Sequence, residues 1–283
     1  MKLLRFGPKG QEKPALLDEQ GQIRDLSAFM TDLTPQWLAP AKLREIAGWP
    51  REKMPVVASA GRLGTPYTGV PKFVAIGLNY RDHAAESNLP IPSEPVVFMK
   101  ATSSITGPND DVMLPKGSLK TDWEVELGVV IGSTARYVPE ERALSHVAGY
   151  CVVHDVSERG FQLERGGTWD KGKGCDTFGP FGPYLVTADE VADPQDLDMW
   201  LTVNGQRKQS GNTRTMIFTV AHLVSYVSHF LTLEPGDLIT TGTPPGVGMG
   251  QKPQPQYLKA ADVVELGISG LGSQKQRIVE FTL

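Results

Sequence analysis

Asp122-Trp123-Glu124-Val125-Glu126-Leu127-Gly128-Val129-Val130-Ile131 is the stretch on which the reading of this chain turns. Its β-branched and aromatic residues, with polar and apolar positions alternating at its start, predict a strand. Side chains two apart on a strand share a face. Trp123, Val125 and Leu127 are therefore expected on one side, with Asp122, Glu124 and Glu126 on the other. Same-face neighbours on a strand lie roughly 6.5–7 Å apart. Two carboxylates held side by side on a partly buried surface repel each other and resist ionisation. A divalent cation offsets that cost. Glu-x-Glu also occurs on ordinary solvated strand faces, so the weight of the pattern depends on what else the chain supplies.

Gly149-Tyr150-Cys151-Val152-Val153-His154-Asp155 reads as a second buried strand with Asp155 at its carboxyl end. Glu124, Glu126 and Asp155, with no thiolate and no evident histidine beside them, make a hard all-oxygen donor set suited to Mg²⁺, Mn²⁺ or Ca²⁺ rather than zinc. Three protein ligands leave about three octahedral positions for water or a chelating substrate.

Other segments carry candidate chemistry. Leu78 to Glu86 follows the buried strand Phe73–Gly77, and a turn or two of helix there sets His83 and Glu86 three apart on one face. A carboxylate beside an imidazole orients it and raises its basicity, as a general base requires; an incidental surface pair is the other reading. Asn88 to Pro95 contains Pro90, Pro92 and Pro95 and reads as irregular, so the His-bearing helix and this loop together suggest a mobile lid. Lys100 ends the strand Val96–Lys100 and is a candidate substrate contact. Arg159 and Gln162 follow Asp155 closely enough to meet a polar ligand, or to be solvated. The glycine-dense run Gly166–Pro183 carries Lys171 and Lys173 but no phosphate-loop pattern. A lysine facing an anionic substrate or a developing enolate is the sharper reading of that run. In Gly242-Thr243-Pro244-Pro245-Gly246-Val247-Gly248, successive N–H groups suit a carboxylate, with the Thr243 hydroxyl assisting.

The whole chain has 283 residues, 40 % hydrophobic and 21 % charged, with a formal charge of −4. That is ordinary globular composition without a basic footprint for nucleic acid. No apolar run approaches the roughly 18 residues of a membrane span, and the start of the chain lacks a signal peptide's apolar core. A cytoplasmic protein is expected, with Cys151 and Cys175 as buried free thiols. Residues 1–65 read as a small β-rich N-terminal unit with a short helix at Pro40–Ala47, joined by a small-residue linker to a main domain over 71–283. Asn204-Gly205 marks a hairpin, Thr219 to Leu233 a helix with one apolar face, and 263–268 with 276–281 a closing pair of strands. Strands dominate without a regular βαβ alternation, and no dinucleotide fingerprint is present, so a mixed, mainly β fold with a few packed helices is expected.

Taken together, these motifs closely resemble the fumarylacetoacetate hydrolase family in its smaller bacterial branch. The matching stretches are Gly77–Tyr80 with His83 and Glu86, Asp122–Leu127, and Gly149–Asp155 with Arg159 and Gln162. Lys173–Phe178, Thr232–Asp237 and Thr241–Gly248 complete them, in family order from about residue 71 onward. The resemblance implies a β-roll-like core, a homodimer, and Mg²⁺ or Mn²⁺ at Glu124, Glu126 and Asp155. It also implies His83 and Glu86 on a lid that orders over substrate. Members act on 2-oxo or 2,4-dioxo acids by carbon–carbon hydrolysis, decarboxylation or isomerisation. The fourth carboxylate ligand of fumarylacetoacetase itself has no counterpart here, which argues against that substrate. Length and N-terminal unit resemble hydrolases of 2,4-diketo-3-deoxy-L-rhamnonate or L-fuconate, which give pyruvate and lactate, and proteins named ureidoglycolate lyase. The expectation is an Mg²⁺- or Mn²⁺-dependent hydrolase with His83 as base, Glu86 as its orienter and Lys173 beside the enolate. Oxaloacetate decarboxylation, 2-oxo-acid isomerisation, ureidoglycolate lysis and a non-catalytic 2-oxo-acid-binding protein are the alternatives.

Overall fold

Two strands with no exposed residue lie at the centre of the molecule, Val125–Ile131 and Val147–His154. They pair antiparallel, with Val153 opposite Glu126 and His154 opposite Val125. Strands buried on both faces read as near-continuous apolar runs. The computed structural model describes residues 1–86 and 90–282, so Asn88 and Leu89, at the start of the proline-rich stretch expected in a lid, lie outside the described residues.

These two strands belong to a ten-stranded sheet. Its order is Ile23–Asp25, Lys13–Leu17, Lys2–Phe6, Gly179–Thr187, Val147–His154, Val125–Ile131, Leu238–Thr240, Phe73–Gly77 and Val96–Lys100, with Ile105–Thr106 beside Gly179–Thr187. The N-terminal strands thus continue the main sheet, through Lys2–Leu3 pairing with Leu185–Val186. A second, five-stranded sheet runs Gln206–Asn212, Asp198–Val203, Val263–Ile268, Gly272–Val279 and Val112–Met113. Few helices accompany the two sheets, as a mainly β fold requires.

Period-two alternation gives the central strands two cores. Leu127, Val129, Tyr150 and Val152 pack with Leu201, Val264, Leu266 and Ile278 of the second sheet. Val130, Cys151 and Val153 face the other way, onto Leu3, Leu16, Leu38 and Ile46 of the N-terminal region. Each fully buried aliphatic side chain contributes about 1.5–3 kcal/mol, so the central sheet is clamped from both sides. Carboxylates at its strand ends therefore sit in rigid surroundings.

Local expectations differ from the structure in instructive places. Residues 122–131 are not one strand. Thr121–Asp122 pairs with Ser157–Glu158, Trp123–Glu124 belongs to neither strand although the Asp155 N–H still donates to the Glu124 carbonyl, and Val125–Ile131 joins the main sheet. The helix after Thr219 spans Val220–Ser228 and stops short of Leu233, because Leu233 leaves to bridge Ala135 while Phe230 stays exposed. The closing hairpin begins earlier than expected, at Gly272, because it turns directly after Ile268. Asn204 and Gly205, both at positive φ, make the tight turn between Asp198–Val203 and Gln206–Asn212. The helix Pro40–Ala47 matches its expectation. Cys151 is buried and Cys175 half-buried, and both are free. Among the described residues no helix is long and apolar enough to cross a membrane.

Candidate active site

The antiparallel register, which continues across Trp123–Glu124, brings the three carboxylates together. Glu126 lies near the start of its strand, Asp155 directly follows the neighbouring one, and the Asp155 N–H donates to the Glu124 carbonyl at 3.0 Å. One oxygen from each of Glu124, Glu126 and Asp155 lies within 4.8 Å of the others. All three side chains are buried.

Their surroundings differ sharply. Glu124 accepts from Arg159 Nη2 and from Lys173 Nζ, each at 2.6 Å. Burial opposes its charge, but the Lys173 and Arg159 charges prevail and hold the carboxyl below the usual range. Asp155 accepts from Lys100 Nζ and Lys173 Nζ, each at 2.6 Å. Glu126 has no basic partner among the described residues; its Oε2 accepts from Thr240 Oγ1 at 2.5 Å and from the Gly242 N–H at 2.8 Å. Burial, then the charges of Asp155 and Glu124, push the Glu126 carboxyl well above the ordinary value. Fully ionised, the cluster would thus carry one negative charge that the protein's own cations do not balance. An all-oxygen site with an uncompensated carboxylate fits a hard divalent cation such as Mg²⁺ or Mn²⁺.

Lys173 reaches the cluster from the short helix Asp170–Lys173, and its neighbour Lys171 donates instead to the Arg165 carbonyl at the surface. Burial disfavours the Lys173 ammonium, yet Asp155 and Glu124 outweigh that and raise its pKa. Arg159 Nε donates to Asp122 Oδ2 at 2.8 Å, and Nη1 to Gln162 Oε1 at 3.0 Å. Asp122 also accepts from the N–H groups of Gly248 and Met249, so it ties the arginine to the loop after Thr241.

One expected substrate contact needs correction, and a second borders the cavity with its hydroxyl already engaged. Lys100 does not line the cavity. It is 2 % exposed and lies behind Asp155, donating to Asp155, to the Val156 carbonyl at 3.3 Å and to the Lys173 carbonyl. The end of its strand points into the protein because Asp155 and the Lys173 helix pack over it. Thr243 borders the cavity, but its hydroxyl donates to the Val125 carbonyl at 2.9 Å and accepts from Gln209 Nε2 at 2.8 Å. That hydroxyl braces the loop against the Glu126 strand.

His83 and Glu86 share a face of the helix Arg81–Glu86, with Nδ1 and Oε2 3.2 Å apart. Glu86 also accepts from the Gly246 N–H at 3.0 Å. Burial favours the neutral acid, but His83 and the Gly246 N–H more than offset it and lower the Glu86 pKa. A cavity of about 480 Å³ joins these parts; His83, Glu86, Glu124, Glu126, Lys173, Arg159 and Gln162 all border it. Trp169, Met249 and Lys252 also line it and were not expected from the sequence. No local signal marks them, because their approach depends on how the 166–183 and 242–252 segments fold over the sheet.

The family description "Fumarylacetoacetate (FAA) hydrolase C-terminal" matches residues 72–279. A protein of Burkholderia multivorans, named in general terms as a hydrolase, is 63 % identical over 276 residues, 98 % of each chain. Fumarylacetoacetate hydrolase from Exiguobacterium antarcticum has 34 % identity and a TM-score of 0.87, covering 99 % of this chain and 100 % of its own. Maleylpyruvate hydrolase from Sphingobium sp. SYK-6, solved with manganese(II) and pyruvate, has 27 % identity and a TM-score of 0.82, covering 100 % of both chains.

Proposed function

The chain belongs to the fumarylacetoacetate hydrolase family, and on that premise we propose that it is a divalent-metal-dependent hydrolase that cleaves a carbon–carbon bond in a 2,4-dioxo acid and releases pyruvate. Hydrolases and isomerases of acylpyruvate-like compounds are the activities of this family's enzymes. The observation that carries the hydrolytic reading is the meeting of the carboxylate cluster with the His83–Glu86 pair in one cavity. The Sphingobium relative, holding manganese and pyruvate, supports a pyruvate-releasing reaction.

Glu124, Glu126 and Asp155 are the residues that would hold Mg²⁺ or Mn²⁺, which when bound supplies Lewis-acid polarisation of the substrate's 2-oxo group. Glu86 holds His83 through Nδ1, leaving Nε2 as the base that takes a proton from water. The hydroxide oxygen bonds to C4, the C3–C4 bond breaks, and its electron pair passes into the enolate of pyruvate. The proton on His83 passes to C3, and the C4 fragment leaves as a carboxylic acid that gives up its own proton to solvent. Lys173, anchored on Glu124 and Asp155, supplies positive charge beside the enolate. Arg159 and Gln162 border the same space and orient polar groups of the substrate. On the resemblance in length and N-terminal region we include 2,4-diketo-3-deoxy-L-rhamnonate and L-fuconate among the candidate substrates, and a cytoplasmic homodimer as the working form.

The test is a panel of 2,4-dioxo acids, oxaloacetate and ureidoglycolate with Mg²⁺ or Mn²⁺, scored for pyruvate and glyoxylate. Pyruvate from a 2,4-dioxo acid is expected, with a loss of about 10²–10⁴-fold in His83→Ala while metal binding persists. Faster pyruvate release from oxaloacetate would make decarboxylation the reaction. No product from any member of the panel would overturn an enzymatic reading.

A further inference from the structure

The cavity has a buried floor and an open rim. Glu124, Glu126 and Lys173 at the floor are at most 5 % exposed, whereas Lys252 at the rim is exposed to solvent. A keto-acid head drawn to the carboxylate cluster therefore points its acyl tail outward. Aliphatic and aromatic side chains, among them Leu78, Trp169 and Met249, line the space between.

The cations bordering this path are not equivalent. Arg159 is paired with Asp122 and Glu124, and Lys173 with Glu124 and Asp155. His83 is engaged by Glu86. Among the described residues Lys252 is the one cation bordering the cavity with no carboxylate at ion-pair distance, although Glu86 feels its charge through space. Its loop is held close to the catalytic pair, because Gly250 packs so tightly on Glu86 that an added Cβ would lie 2.9 Å from Glu86 Cδ. Lys252 is thus tethered near the His83–Glu86 pair at the cavity rim, with its ammonium unpaired and open to solvent.

We propose that Lys252 is a specificity-determining residue that reads a second carboxylate at the far end of the substrate, so that the preferred substrates are dicarboxylic acylpyruvates rather than the neutral-tailed sugar acids. The inference rests on the functional reading above for the orientation of the head. A terminal carboxylate at the rim keeps part of its hydration and meets a flexible ammonium. Such a contact acts chiefly on encounter and KM, and weakens with salt.

Matched 2-oxo acids separate this inference from the reaction. 2-Oxoadipate and 2-oxohexanoate differ only in the terminal carboxylate, and calorimetric titration with Mg²⁺ present reads their binding without any turnover. The wild-type protein is expected to bind 2-oxoadipate about fivefold tighter at low salt, the scale of one partly exposed ion pair. Lys252→Met should reduce the preference below twofold by weakening only the dicarboxylate, and Lys252→Glu should reverse it. Equal binding of the two acids by the wild-type protein, or a preference that survives in Lys252→Met, overturns the role of Lys252. A preference that behaves as expected in a protein that cleaves no 2,4-dioxo acid supports Lys252 and sinks the hydrolase reading instead.

Discussion

Lys100→Met removes the ammonium that joins three parts of the site while keeping an aliphatic stem of similar length. Its Nζ holds Asp155, the Val156 carbonyl and the carbonyl of Lys173, so it fixes a candidate metal ligand and the residue beside it together. Two effects compete. Burial draws the Lys100 pKa below the ordinary lysine value, outweighing the field of Asp155, which raises it, so the ammonium is held at a cost that the substitution removes. Against this, stranding one member of a buried ion pair costs about 3–5 kcal/mol, and each carbonyl left without its donor about 1 kcal/mol more. Relief from several kcal/mol of ammonium desolvation leaves a predicted net loss of about 2–4 kcal/mol in the metal-free protein. A divalent ion at the cluster replaces the lost positive charge beside Asp155; two unit charges about 5 Å apart at an effective dielectric of about 20 interact by about 3 kcal/mol. Mg²⁺ should therefore stabilise Lys100→Met more than it stabilises the wild type. Urea unfolding of both proteins in chelator and in saturating Mg²⁺ measures this. A loss below about 1 kcal/mol in chelator, or an equal loss with and without Mg²⁺, would refute the reasoning.

Metal binding should release about one proton at pH values where Glu126 is still protonated, and affinity should rise with pH through that window. The sign follows from the raised carboxyl: between the ordinary value of 4.5 and its native value the folded state holds more protons than the unfolded one, so metal-free stability falls as pH rises. Calorimetry in buffers of different ionisation enthalpy counts the proton, and its persistence in Glu126→Gln would assign it elsewhere. Gly77→Ala should displace Trp169, because the added Cβ would lie 2.4 Å from Trp169 Cζ3. Overpacking of this kind costs about 1–3 kcal/mol, and KM should rise with little change in kcat because Trp169 walls the cavity; an unchanged KM would show that the indole plays no part in substrate binding.

The carboxylate cluster was legible because strand periodicity and an apolar neighbouring strand are local signals. Glu124, Glu126 and Asp155 come together even though residues 122–131 break into two strands, since the antiparallel register carries on across the break. His83 and Glu86 were legible for a similar reason, because three residues on a helix share a face. Lys100 was not, because alternation says which residues share a face and not what will pack over the end of a strand. Asp122 shows the same limit: it reads as a third acid on the Glu124 face, and only the folded loop makes its oxygens the acceptors for Gly248, Met249 and Arg159. Lys252 carries no motif, and its place at the cavity rim exists only once Gly250 has settled against Glu86.

The charges inside the site explain why metal and substrate belong together. Asp122, Glu124, Glu126 and Asp155 are buried with Arg159, Lys100 and Lys173, so four acids face three permanent or near-permanent cations. Fully ionised, the cluster carries one excess negative charge, and the protein alone relieves it by keeping a proton on Glu126. A divalent ion that displaces this proton leaves one excess positive charge in a buried space, which is again unfavourable. The carboxylate of a keto acid cancels it. The three-component complex is thus the neutral state of the site, reached neither by protein and metal nor by protein and substrate. The same balance assigns the substrate's head to the buried floor, and any second carboxylate falls to Lys252 at the rim, where solvent shares the work of balancing it.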